Sequence, residues 1–156
     1  MVKYIDYRGM KKVSKLSDTA PILGQAARAQ VAALMAGLSA RGYGDLTPAF
    51  ATVIPQLDAV GARSTVLARQ AGVSKQAMSQ LLKQLEELEY VEQIADSTDT
   101  RAKMVRLTRR GVALRKACMD IRTELHQAAM KALGKANLAR LQRDLQTLTR
   151  IMTPQK

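Results

Sequence analysis

The chain has 156 residues, 47% hydrophobic and only 3% aromatic, with 25 Lys and Arg against 13 Asp and Glu for a net charge of +12. That length buries a core without disulfides or metals, and the single Cys118 excludes an intrachain disulfide. No apolar run approaches the roughly eighteen residues of a spanning helix and no signal-like amino terminus is present, so a reducing cytoplasm is the expected location. Abundant Ala, Leu, Arg and Gln predict a mainly helical protein with few, short strands. The charge favours polyanionic partners, nucleic acid before an anionic membrane, because no strongly basic helix also carries a bulky aromatic face.

Residues 1–17 carry Lys3, Arg8, Lys11, Lys12 and Lys15 with little apolar periodicity and read as a basic arm preceding a single domain over 18–156. Asp18 or Thr19 is a candidate helix cap and Pro21 suits a first turn; Leu23, Ala27, Val31, Leu34 and Leu38 then form a stripe that Gly42 and Gly44 end. Thr47 and Pro48 open a second helical pattern with Phe50, Val53, Ile54 and Leu57, closed by Gly61 and kinked or split by Pro55.

From Ser64 to Leu88 two short helical patterns are joined at Gly72, with Ser64 and Ser74 as the expected caps. Val66, Leu67, Ala71, Val73, Met78, Leu81, Leu82, Leu85 and Leu88 recur at helical spacing. On the other side stand Lys75, Gln76, Ser79, Gln80 and Lys83, three and four apart. One face packs and the other is free to touch bases. Gln76, Ser79 and Gln80 carry donors and acceptors for base edges, Gln being suited to adenine in the major groove. Lys75 and Lys83 suit phosphates, which set register without naming a sequence. A merely solvated helix face is the bland alternative.

After Tyr90 the period shifts towards two. Val91 to Ala95 and Lys103 to Leu107 read as a hairpin whose polar loop, Asp96 to Ala102, carries Arg101 near its tip. Thr108 caps a long helix with Leu114, Cys118, Ile121, Leu125 and Ala128, and Leu138, Leu141, Leu145, Leu148 and Met152 repeat the pattern in a last helix ended by Pro154. Four basic and no acidic residues lie between Ala62 and Gln84, and seven basic and none acidic between Thr100 and Ala117. Glu86, Glu87, Glu89, Glu92, Asp96 and Asp99 fall between the two stretches. Cys118, on an apolar stripe, reads as a core or interface thiol rather than a redox sensor. His126 has no ligand-spaced companions, and neither a nucleophile with its base nor a phosphate-cradling glycine loop is visible. The chain reads as a non-enzyme with no cofactor and no metal.

The residues Ala68, Gly72, Val73 and Met78, the stretch Asp96, Asp99, Arg101, Ala102, Lys103, Val105, Arg106, Leu107, and the following Thr108 and Gly111 resemble the MarR family of winged helix-turn-helix transcription regulators. The resemblance runs from about residue 19 to the end. It implies a mainly α fold with a small β-hairpin wing, in which a winged helix-turn-helix spans about 47–107 and dimerisation helices span about 19–41 and 108–153. It further implies a homodimer placing residues Ser74 to Lys83 in a major groove and Arg101 in a minor groove, where a narrow groove concentrates negative potential. Ser64, Thr65, Ser74 and Lys103 complete the expected DNA-binding set. Peroxide-sensing members carry their reactive cysteine near the amino terminus, where this chain has none. Glu89 and Tyr90 depart from the family at a position where a Gly commonly precedes the first wing strand. Glu92 and Gln93 occupy a usually basic strand start, Thr98 replaces an often basic residue, and Pro55 is unusual in the second helix.

The resulting expectation is a sequence-specific regulator of double-stranded DNA, most often a repressor, on a pseudo-palindromic site with half-sites about one helical turn apart. A small aromatic effector is implied by relatives that bind ligands between the dimer helices and the DNA-binding lobe, and Phe50, Tyr43 and Met35 are candidates to border such a space. The competing readings are a sequence-indifferent architectural DNA binder and a protein-interaction module.

Overall fold

A computed structural model describes residues 19–57, 61–95 and 103–153. The expected arm over 1–17, the helix-capping Asp18, the wing tip with Arg101, and Pro154 lie outside the described residues. Helix α1 (Thr19–Ser39) has the anticipated span, and the chain leaves it through Gly42 at φ +87°, with the Tyr43 N–H donating back to the Leu38 carbonyl at 3.0 Å. Only its second half packs: Leu34 and Leu38 are buried, whereas Ile22 is 64% exposed.

The helix expected from Thr47 to Gly61 is instead two 3-10 turns, Pro48–Thr52 and Ile54–Gln56. Pro55 has no N–H to donate and its ring excludes the carbonyl four residues back, so the backbone tightens to bonds three residues apart. The Phe50, Val53, Gln56 and Leu57 N–H groups donate to the carbonyls of Thr47, Phe50, Val53 and Ile54 at 2.9–3.3 Å. The apolar residues read from the sequence are nevertheless in the core, with Phe50, Val53, Ile54 and Leu57 all buried.

Gly61, at φ +88°, leads into a strand that the sequence did not announce, β1 (Ala62–Arg63). It pairs antiparallel with β3 (Lys103–Leu107), which pairs in turn with β2 (Val91–Ala95), giving the order β1-β3-β2. A Cβ on Gly61 would stand 2.6 Å from the Val105 carbonyl oxygen, so the close approach of β1 needs glycine there. This pairing also moves the start of α2 (Ser64–Ala71). Arg63, paired with Met104 in β1, holds the cap position in place of Ser64, and its guanidinium has no acceptor to offer a helix N–H, so no side-chain cap bond forms. Gly72 turns at φ +68°, and Ser74 caps α3 (Lys75–Glu87) as expected, its hydroxyl oxygen accepting from the Ala77 N–H at 3.1 Å.

Thr108 likewise caps α4 (Arg109–Leu133) by accepting from the Gly111 N–H at 3.1 Å, and Gly134 separates α4 from α5 (Lys135–Met152). Helix α4 packs against α1, the second 3-10 turn, β3 and α5. Leu114, Cys118 and Ile121 meet Leu34, Leu38 and the 3-10 segment, in one contiguous core with Leu67, Met78, Leu82, Leu85, Val91 and Val105. Each fully buried Leu or Met contributes about 2 kcal/mol by removal of apolar area from water. The last helix is different, because Leu138 alone is buried on it.

The α3–β2 connection stores strain. Glu89 sits at φ +60°, the only non-glycine with positive φ among the described residues. The left-handed region costs such a residue about 1–2 kcal/mol. Directly beneath, Gly111 packs under the Tyr90 carbonyl so closely that any Cβ would overlap its oxygen. Glu89→Gly is therefore expected to raise the thermal midpoint by about 3 °C, whereas Gly111→Ala should destabilise the fold by about 3 kcal/mol. Differential scanning calorimetry of both variants checks the pair, and a Glu89→Gly protein that melts lower would contradict the strain.

Candidate nucleic-acid interface

Helix α3 owes its orientation to Met78, Leu82 and Leu85, all 2% exposed or less, which fix its rotation against the core. That rotation places Lys75, Gln76, Ser79, Gln80 and Lys83 together on its exposed face. Gln76 and Gln80 project without a partner among the described residues. Ser79 is more constrained than its sequence position suggests: its hydroxyl donates to the Lys75 carbonyl at 2.9 Å, leaving it as an acceptor while that bond holds. Lys83 lies 3.8 Å from Glu87, a loose exposed pair that a phosphate would readily replace. Thr65 is exposed at the start of α2, Ser64 is half-buried beside it, and Ser74 is exposed with its hydroxyl engaged as the cap. Lys103 is exposed where β3 begins, opposite Ala95. Arg69, exposed on α2, adds a basic group to those named from the sequence.

Two of the acids between the two basic stretches, Glu86 and Glu92, are engaged within the fold. The Glu86 carboxylate accepts from the Gln93 backbone N–H at 3.3 Å and from its side-chain amide at 2.8 Å, tying α3 to the wing. Glu92 and Arg106 face each other in register across β2 and β3 at 2.7 Å.

A second polar cluster, unannounced by the sequence, sits where α3 hands over to β2. Arg110, in the first turn of α4, donates to the Leu88 carbonyl at 2.9 Å, to Asp45 Oδ2 at 2.7 Å and to the Tyr90 hydroxyl oxygen at 3.1 Å. Its guanidinium lies 4.4 Å from the centroid of the Tyr90 ring. The Tyr90 hydroxyl donates to Asp45 Oδ1 at 2.8 Å, and Tyr43 stacks obliquely on the ring at 6.2 Å. Thr108 closes the same turn, its hydroxyl donating to the Glu89 carbonyl at 2.5 Å and its N–H to the Tyr90 carbonyl at 3.1 Å.

Of the three residues proposed to border a ligand space, Tyr43 belongs to this cluster, while Met35 and Phe50 line an apolar void of about 10 Å³. Such a space holds one water at most. A wider groove of about 180 Å³ opens nearby between α1, the first 3-10 turn and α4, lined by Val31, Leu34, Pro48, Ala51, Leu125 and Arg122. Cys118 is buried, and burial pushes its thiol above its ordinary range, which disfavours the reactive thiolate.

Residues 45–102, from Asp45 through α2 and α3 to the wing loop, match the family model for MarR. That stretch is 58 of the 156 residues. Solved structures of the same fold include a cysteine-to-serine mutant of MarR from E. coli complexed with operator DNA, at 21% identity and a TM-score of 0.73 over 89% of this chain and 99% of that one. The S. aureus MepR–DNA complex aligns at 19% identity and a TM-score of 0.72, over 86% and 98%. The reduced form of E. coli MarR aligns at 22% and 0.70, over 84% and 96%. No curated protein matches the sequence. The winged helix and small antiparallel sheet are as the sequence led one to expect, with β1 added. Among the described residues no helix is long and apolar enough to cross a membrane.

Burial, and then the hydrogen bond to the Asp45 carboxylate, push the Tyr90 hydroxyl up to about 12. The phenol is therefore held neutral, so the stability it contributes is complete below the ordinary tyrosine value and is lost as pH rises from about 10 towards 12. Alkaline absorbance titration should show one late-ionising tyrosine coupled to loss of structure, and Tyr90→Phe should abolish that step; an unchanged profile would contradict the assignment.

Proposed function

We propose that this chain is a homodimeric, sequence-specific transcription regulator of double-stranded DNA, acting as a repressor on a pseudo-palindromic operator. The observation that carries the reading is the α3 face. It holds Gln76 and Gln80 for base edges and Lys75 and Lys83 for phosphates on a helix locked by its buried side. Thr65 and Ser74 lie where helix starts can meet backbone oxygens, with Ser64 beside them, and Lys103 with Arg101 extends the contact along the wing. The two DNA-complexed neighbours support the same use of the fold.

The dimer reading rests on uncovered apolar surface at the two ends of the chain. Ile22 on α1 and Leu141, Leu145, Ile151 and Met152 on α5 are all exposed. A second copy supplies the burial they lack. A small aromatic effector bearing an anionic group suits the groove beside Arg122, whose other lining is mostly apolar.

A sequence-indifferent architectural role is the second reading, favoured by the charge of +12 alone. Enrichment of random duplexes by the purified protein at near-physiological salt separates the two: a two-fold motif supports the regulator, and binding without a motif supports the architectural role. Gln76→Ala should change preference at one position of the motif by about 1–3 kcal/mol, whereas Arg101→Ala should weaken all sequences alike. Affinity should fall steeply as salt rises, through counterion release. Unchanged affinity and preference in both variants, measured by fluorescence anisotropy, would sink the assignment.

A further inference from the structure

We infer that Asp45, Tyr90 and Arg110 form a positioning latch that fixes the angle between the recognition helix and α4, and so the spacing at which a dimer accepts its two half-sites. The inference rests on the reading of this chain as a two-fold DNA-binding protein. None of the three residues belongs to the DNA-binding set named above.

The geometry is that of a single side chain holding three separate elements. From the first turn of α4, Arg110 reaches the carbonyl of Leu88, the residue that ends α3. It also reaches the hydroxyl of Tyr90, the residue before the first wing strand, and the carboxylate of Asp45, in the connection between α1 and the first 3-10 turn. A guanidinium has a planar fork of donors and no freedom to shift one bond without moving the others. Tyr90 adds rigidity because its ring is fully buried beneath the guanidinium and its hydroxyl is spent on the same carboxylate. The α3 C-terminus, the wing root and the helical lobe are thus tied at one point.

Apart from the two Glu86–Gln93 bonds to the wing, α3 meets the rest of the chain mainly through apolar contacts, which resist separation more than rotation. Directional bonds at its C-terminal end supply what those contacts lack. A small rotation at Leu88 becomes a larger displacement at Lys75, on the far side of 13 residues of helix. In a two-fold dimer that displacement is doubled between half-sites. Loss of the latch should therefore loosen spacing while leaving base preference within each half-site intact.

The control is built into the fold. Arg41 pairs with Glu124 at 2.6 Å and also links α1 to α4, but without contact to α3 or the wing. The experiment offers the full chain a duplex library in which the two half-sites selected by the wild-type protein are separated by spacers of graded length. Asp45→Asn and Arg110→Lys are compared with Arg41→Gln, alongside thermal midpoints and sedimentation of each protein. The latch variants should lose about tenfold of the discrimination between best and neighbouring spacers with unchanged half-site sequence and dimer state, while Arg41→Gln retains it. Asp45 is partly exposed, so Asp45→Asn keeps the test open if Arg110→Lys fails to fold. Wild-type spacing in Asp45→Asn, or equal loosening in Arg41→Gln at matched stability, overturns the latch alone. A wild-type protein that selects no two-fold site overturns the DNA-binding reading as well.

Discussion

The rotation of one 13-residue helix about its own axis decides what this protein can present to a partner. Met78, Leu82 and Leu85 are the side chains that set it. Turning α3 by a single residue position, about 100°, would bring polar side chains into the core and expose Leu side chains in their place. Burial of three large side chains opposes that by several kcal/mol, more than any exposed ion pair contributes. The polar face is therefore held as a consequence of the apolar one. Apolar contact is nevertheless tolerant of sliding, and directional bonds at the C-terminal end of the helix complete the constraint: Gln93 to Glu86 and Arg110 to the Leu88 carbonyl.

The elements that were legible in the sequence are those whose signal repeats. Helix α3 shows its period over 13 residues, so its faces follow from pattern alone, and β2 and β3 are marked by short apolar-rich runs on either side of a polar loop. Strand β1 has two residues, too few to alternate, and it becomes visible only when Gly61 allows close approach to Val105. The 3-10 segment shows the two kinds of signal pulling apart. Phe50, Val53, Ile54 and Leu57 announce burial correctly, while Pro55 dictates a backbone that burial alone would not. The Asp45–Tyr90–Arg110 cluster was not legible at all, because Asp45 lies 65 positions from Arg110 and 45 from Tyr90. Nothing local marks residues that meet only after the chain has folded.

Departures from the family pattern acquire physical content in the same region. A Gly commonly precedes the first wing strand in the MarR family that the chain resembles, and here that position holds Glu89 at φ +60°. The backbone has kept the glycine-type turn and accepted the strain of a side chain. What compensates is close at hand: Thr108 donates its hydroxyl to the Glu89 carbonyl and its N–H to the Tyr90 carbonyl, and Arg110 anchors Leu88 on one side and Tyr90 on the other. The acidic Glu92 at the wing entry is similarly absorbed by Arg106 across the strand pair. Both departures replace a generic feature with a specific pair, at a place where the wing must keep a fixed direction.

Charge and assembly pull against each other in the proposed dimer. Two copies at +12 each repel, and the repulsion is screened only beyond about 8 Å at physiological salt. Apolar surface on α1 and α5, including Ile22 and Ile151, has to offset it. Bound DNA would neutralise part of the same charge, so dimer formation and DNA binding reinforce each other by mass action: whatever binds the dimer better than the monomer stabilises the dimer. Lowering salt alone strengthens DNA contacts while weakening self-association, and the net affinity then depends on protein concentration as well as on salt. For a chain this basic, salt dependence reports on two equilibria, and the free dimer is the species whose concentration links them.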